Sequence, residues 1–244
     1  MEGRARFKQY PKPREDGQFI DLRKTGCIGK VQDQGQCGSC YAIATVENVD
    51  SVNCLKCKNS ILLSSPQNII DCSKDQGNFG CDGGWMETVV KYIANAPGIN
   101  LLKDYPYTAK EGKCAFNNQT AIYKNVIGHT EVEADENKMM DIINILRTPL
   151  YVAVKVNRQF SMYRGGVYGS VGICKSRPSE LNHAVQIVGY GTDTSSKKMF
   201  WLVKNSWGES WGENGYIRIL RSGCCLGICQ AVGYVNLKCN QNVL

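Results

Sequence analysis

The sequence predicts an α+β fold. Helix-like segments fill its first half and strand-like segments its second, and a chain of 244 residues is long enough for one large or two modest domains with real cores. Such a division implies a helical part and a sheet part, or two domains facing across a cleft.

The first twenty or so residues hold Pro11, Pro13 and several charges, and read as extended chain. Tyr41 to Val49 reads as a helix because no Gly or Pro interrupts it. Ser65 followed by Pro66 is an N-cap with proline in the first turn, so a short helix follows. Cys81-Asp82-Gly83-Gly84 is a turn. Trp85 to Ala96 is a helix stopped by Pro97-Gly98. Asp135 to Arg147 is an amphipathic helix with Met139, Ile142, Ile143 and Leu146 on one face, ended by Pro149. From there the runs become β-branched and aromatic: Tyr151 to Val156, Ala184 to Tyr190, Met199 to Lys204, Tyr216 to Leu220 and Ala231 to Val235. They read as an antiparallel sheet or open barrel. No internal repeat or low-complexity segment is present.

Composition narrows the class. Hydrophobic content of 43% and charged content of 21% suit a soluble globular protein. No run of eighteen or more apolar residues occurs, so no membrane span is expected. The first eight residues lack an apolar signal core, so a secretory protein of this kind would carry its targeting segment upstream of this chain. The net charge of +7 is carried by scattered Lys and Arg without a nucleic-acid motif, and reads as a solvated surface. Thirteen cysteines favour an oxidising compartment, and their odd number leaves one thiol after six pairs. Cys54-Leu55-Lys56-Cys57 has zinc-ligand spacing, but no second such pair lies at the required distance and only two histidines could assist, so no metal is expected. Asn118-Gln119-Thr120 is a glycosylation acceptor motif.

The chemistry concentrates in Gln34-Gly35-Gln36-Cys37-Gly38-Ser39-Cys40-Tyr41-Ala42. Cys40 stands where a tight Gly-Ser turn becomes a helix, so its sulfur faces unsatisfied N–H groups and the positive end of the macrodipole, which favour thiolate. Gln34 supplies an uncharged N–H donor six positions upstream, as acyl transfer requires for the oxygen of a tetrahedral intermediate. A cysteine nucleophile needs a base. His129 lies in a polar connector and reads as a surface histidine, whereas His183 precedes a strand roughly 140 residues after Cys40.

The string Cys37 to Tyr41 matches C-G-[SA]-C-[WY], and the chain resembles the papain-like cysteine proteases, cathepsin L-like members among them, over nearly its whole length. The resemblance implies a papain-like two-domain fold with the active site between a helical left domain, about residues 24–128, and an antiparallel β-barrel-like right domain, about 129–244. The segment near 8–23 would pack with the right domain, and Phe19 to Arg23 would be the opening strand. His183 would be the catalytic imidazole, paired with Cys40 as imidazolium and thiolate. Asn205, in Asn205-Ser206-Trp207-Gly208, would orient it, with Trp207 covering their hydrogen bond. Gln34 would act with the Cys40 backbone N–H on the oxyanion.

Substrate recognition also follows from the resemblance. Gly83, Gly84 and Trp85 would line the extended peptide, and Met86, Ala153, Leu181, Ala184 and Ala231 would form the pocket for the side chain two positions before the scissile bond. All five are apolar and no acidic residue aligns at the base, so a bulky hydrophobic side chain is expected there. Disulfides Cys37–Cys81 and Cys72–Cys114 are implied, with Cys174 joined to Cys224, Cys225 or Cys229, of which Cys225 is preferred. Further bridges are expected among Cys27, Cys54, Cys57, Cys239 and the two remaining cysteines of that cluster. The expected activity is that of an endopeptidase, with an exopeptidase or a catalytically silent binding protein as alternatives. No cofactor is implied. Protein or peptide substrates, an inhibitory pro-segment and cystatin-like inhibitors are the implied partners of a monomeric, lysosomal, endosomal or secreted protein.

Overall fold

The computed structural model describes residues 14, 17, 19–57, 60–96, 98–170 and 173–239. After a short strand β1 (Ile20–Asp21) come helices α1 (Cys40–Cys57), α2 (Pro66–Cys72) and α3 (Met86–Asn95), then a two-stranded pair β2 (Ile99–Asn100) and β3 (Ala121–Ile122). The remainder holds β4 (Val126–Glu131), α4 (Glu136–Ile145), β5 (Leu150–Val154), the one-turn helix α5 (Arg158–Ser161), β6 (Val167–Tyr168), β7 (His183–Thr192), β8 (Met199–Lys204), β9 (Tyr216–Leu220) and β10 (Val232–Leu237). The sheet runs β4-β10-β5-β7-β8-β9-β6, with β1 added on β7. This is the expected α+β fold. Its pairings are antiparallel except β6 on β9, which is parallel.

Local chemistry sets the helix ends. Ser65 accepts from the Asn68 backbone N–H at 3.0 Å with Pro66 in the first turn of α2, and Asp135 accepts from Asn137 N–H to start α4. The opening strand stops sooner than expected. The Asp21 carboxylate accepts from the Arg23 backbone N–H at 3.1 Å and binds its guanidinium, which turns Leu22–Thr25 into a 3-10 helix. Residues 8–13 of that expected segment lie outside the described residues. His129 also departs from the sequence reading: it lies within β4, paired to Val235 of β10, and its side chain is largely buried.

Helix α1 is buried on every face from Tyr41 to Cys54, because α2 and α3 pack on one side and β5, β7 and β10 on the other. It is the wall shared by the two halves. Buried polar groups on it must therefore find partners within the protein. Asn48 donates to Pro149 O at 2.8 Å and accepts from Val235 N–H at 3.0 Å, Glu47 pairs with Lys204 at 2.8 Å, and Asp50 receives Ser64 N–H and its hydroxyl. Six disulfides brace this frame: Cys27–Cys54, Cys37–Cys81, Cys57–Cys239, Cys72–Cys114, Cys174–Cys225 and Cys224–Cys229. The zinc-like Cys54 and Cys57 are thus both bridged. Among the described residues no helix is long and apolar enough to cross a membrane, and no three His, Cys, Asp or Glu side chains are placed to hold a metal.

Asp50 makes stability depend on pH. Burial pushes its carboxyl up to about 8, against the lowering effect of the Ser64 hydrogen bonds. A group that holds its proton more tightly when folded adds stability below its unfolded value of about 3.9, and that stability is lost as pH rises through the folded value. Thermal unfolding is expected to show stability falling between about pH 4 and about pH 8. Asp50→Asn flattens that slope; an unchanged slope in the variant would rule out Asp50 as its source.

Candidate active site

Cys40 is the first residue of α1 and lies outside every disulfide among the described residues, which include all thirteen cysteines. The turn before it is held tightly. Gly38 N–H donates to Cys81 O at 2.8 Å, and a Cβ on Gly38 would come within 2.5 Å of that carbonyl, so only glycine fits there. Ser39 shares a 2.6 Å hydrogen bond with the Tyr107 hydroxyl, which donates to Gln34 O at 2.8 Å. The Tyr41 hydroxyl donates to Gly80 O, so the start of the helix is tied to the turn that ends in Gly83 and Gly84.

His183 opens β7. Its Nε2 lies 2.7 Å from Asn205 Oδ1, and the Ser206 backbone N–H donates to that same oxygen at 2.9 Å. An acceptor on Asn205 makes Nε2 the protonated nitrogen of the neutral ring and leaves Nδ1 to receive a proton. Trp207 packs on the imidazole with ring centroids 4.9 Å apart, and Phe160 and Trp211 pack around Trp207 in turn. Phe160, from α5, is a member of this roof that sequence reasoning missed, since a single aromatic on a one-turn helix carries no local signal. Gln34 is fixed at both ends of its amide: Nε2 donates to Cys37 O at 3.1 Å, and Oε1 accepts from the Ser206 hydroxyl at 2.7 Å. One Nε2 hydrogen is left over.

Burial and hydrogen bonding act in opposite directions on each of the two groups. Burial pushes the Cys40 thiol up, and the backbone N–H groups of Ala184, Tyr41 and Cys40 itself only oppose it. Burial likewise holds His183 down to about 4, against the raising effect of Asn205. Either charge is costly here by itself, and a thiolate paired with an imidazolium would offset both costs. The Ala184 N–H directed at the sulfur places Cys40 beside the residue that follows the imidazole.

The residues expected to bind substrate fall in four places, with Met86 common to two of them. Gly83 O accepts from Phe79 N–H at 2.9 Å, Gly84 abuts Asn78 and the Tyr41 ring, and Trp85 stands out at 61% exposure beside them. Met86, Ala153 and Ala184 share one apolar cluster with Cys40, and Ala153 faces Ala184 across β5 and β7. Leu181 packs toward Gly227. Met86 and Ala231 both line a pocket of about 250 Å³ that also receives Glu87, His129, Glu131 and Tyr151. None of these last four was among the sequence-derived site residues.

The sequence pattern of the papain family cysteine proteases matches residues 17–235. The chain belongs to the papain family. A cathepsin L-like proteinase of Fasciola hepatica is 40% identical over 203 residues, 83% of this chain and 60% of its own length. Bromelain protease from Ananas comosus, solved in complex with the E64 inhibitor, superposes with a TM-score of 0.80 at 34% identity, covering 91% of this chain and 99% of that one. A digestive procathepsin L 3 of Tenebrio molitor larval midgut has a TM-score of 0.82 at 34% identity over 95% of this chain and 74% of its own. The chain spans about three fifths of the length of curated relatives such as the Fasciola proteinase.

Proposed function

We propose that this papain-family chain is a cysteine endopeptidase. The observations that carry the reading are a free thiol at the head of α1 that meets the backbone N–H of Ala184, and the residue before Ala184, His183, whose Nε2 is held by Asn205 at 2.7 Å. Cys40 gives its proton to His183 Nδ1, and the thiolate attacks the peptide carbonyl. Gln34 Nε2 and the Cys40 backbone N–H receive the developing oxyanion. His183 passes the proton to the departing amine, leaving a thioester. It then takes a proton from water, whose oxygen attacks the thioester carbonyl, and returns that proton to sulfur as the acid product leaves. Asn205 orients the ring throughout, and Trp207 keeps water from their bond.

The helical residues 24–128 and the sheet-bearing residues 129–244 form the two sides of the cleft. Substrate lies extended along Gly83 and Gly84, beside Trp85. A bulky hydrophobic side chain two positions before the scissile bond enters over Met86, Ala153, Leu181, Ala184 and Ala231. An inhibitory pro-segment and cystatin-like proteins block the same cleft, and the chain works as a monomer in a lysosomal, endosomal or secreted setting, which suits its six disulfides.

The test is stoichiometric labelling of Cys40 by the epoxide E64, read by mass spectrometry, together with cleavage of a peptide blocked at both ends. One label per chain and internal cleavage are expected. A thiol inert to the epoxide in reducing, mildly acidic buffer would sink the enzymatic reading. Labelling without cleavage of the blocked peptide, with free-terminus dipeptides released instead, would replace endopeptidase by exopeptidase.

A further inference from the structure

The pocket lined by Met86 and Ala231 is not apolar throughout. Three elements bring polar groups into it: Glu87 from the first turn of α3, Glu131 with His129 from one face of β4, and Tyr151 from β5. Residues 129 and 131 share a face because a strand repeats every two residues. His129 Nε2 lies 3.8 Å from Glu131 Oε1, whereas Glu87 has no ion partner among the described residues. Tyr151 is 4% exposed, and its buried hydroxyl has no hydrogen-bond partner. A buried hydroxyl is ordinarily satisfied within the protein, so one left open in a pocket wall marks a place where a ligand group completes the bonding. The negative charges of Glu87 and Glu131 also act on this phenol, which places both carboxylates in its neighbourhood.

We propose that this pocket admits a long basic side chain, lysine or arginine, two positions before the scissile bond, its methylenes against Met86 and Val232 and its cationic tip shared by Glu87, Glu131 and the Tyr151 hydroxyl. The inference rests on the proteolytic reading above and widens its substrate class beyond bulky hydrophobic residues. The chemistry is one of matching: a guanidinium or ammonium offers only donors, and two carboxylates with a hydroxyl offer acceptors. A wholly apolar side chain would leave the tyrosine oxygen unpaired, and an acidic one would meet two like charges. The stem of Lys or Arg suits the apolar part of the lining as its tip suits the polar part.

Blocked fluorogenic peptides differing only at that position, with phenylalanine, arginine, lysine or citrulline, provide the test. Citrulline keeps the shape of arginine and lacks its charge. The expected result is kcat/KM at least about ten-fold higher for arginine than for citrulline, and an arginine-to-citrulline ratio at least about ten-fold lower in the double variant Glu87→Gln/Glu131→Gln. Tyr151→Phe lowers the same ratio by a smaller factor. The ratio does not depend on how much of a variant is folded, so a poorly expressed variant still reports. Arginine no better than citrulline in the parent protein, or a ratio unmoved in the double variant, would overturn the proposal while cleavage of the phenylalanine peptide left the protease reading intact. No cleavage of any peptide would remove both.

Discussion

Replacing His183 by alanine is expected to lower kcat/KM for a blocked peptide by about 10³-fold or more, because in the proposed mechanism one side chain serves as base, acid and counter-charge. The reason lies in the balance found at the nucleophile. Burial pushes the Cys40 thiol up and the N–H groups of Ala184, Tyr41 and Cys40 only partly oppose it, so without an imidazolium the sulfur stays protonated in mild acid. The variant also lacks a donor for the leaving amine. Iodoacetamide alkylation separates the two losses, since it needs the thiolate and no acid. With the raised thiol, reaction in the variant is slow at about pH 6 and climbs only above the ordinary thiol value of about 8.5. In the parent protein the proposed pair predicts that it is already fast at about pH 6, with the proton transferred from sulfur to the imidazole. Equal alkylation rates of parent and variant at that pH would show that the helix terminus suffices after all.

Lys204→Met is expected to destabilise the protein by about 3–5 kcal/mol, because it leaves Glu47 as a buried charge with its partner gone. The two side chains are 0% and 7% exposed and 2.8 Å apart, and apart from Lys204 the Glu47 carboxylate has, among the described residues, the side chain of Gln32 at 3.3 Å. Burial raises the Glu47 carboxyl, against Lys204 and Gln32. Losing Lys204 raises it further. Because a raised carboxyl favours the folded state at low pH and loses that contribution as pH rises, the penalty of Lys204→Met is smaller at pH 5 than at pH 8. Urea unfolding with disulfides intact, at both pH values, measures it. Replacing both partners by apolar residues of similar size restores most of the lost stability. A penalty that is small and independent of pH in the single variant would mean that water reaches Glu47. Lys204 is the last residue of β8 and directly precedes Asn205.

The organisation of the fold was legible wherever the signal was local. Ser65-Pro66 announces α2 and Asp135 announces α4, because a capping side chain acts on N–H groups two or three residues away. The long β-branched runs announce β5, β7, β8, β9 and β10. Where the chain departed from expectation, a contact outside the local pattern decided: the Asp21 carboxylate curled the opening strand, and pairing with β10 made a strand of the segment around His129. Strands β2, β3 and β6 have two residues each and exist only because a partner is present.

From its own residues the chain determined that a cysteine heads an uninterrupted helix after a Gly-Ser turn, with a glutamine donor upstream and one histidine ahead of a strand. Those are facts of short-range backbone geometry and residue type. The tertiary structure alone decided three further matters. It desolvated Cys40 and His183, an effect that depends on everything packed around a group. It chose among the cysteines of the terminal cluster, joining Cys225 to Cys174 and Cys224 to Cys229. And it gathered Glu87, Glu131 and Tyr151 around one pocket from a helix and two strands, a meeting that depends on how distant elements pack and that no spacing along the chain records.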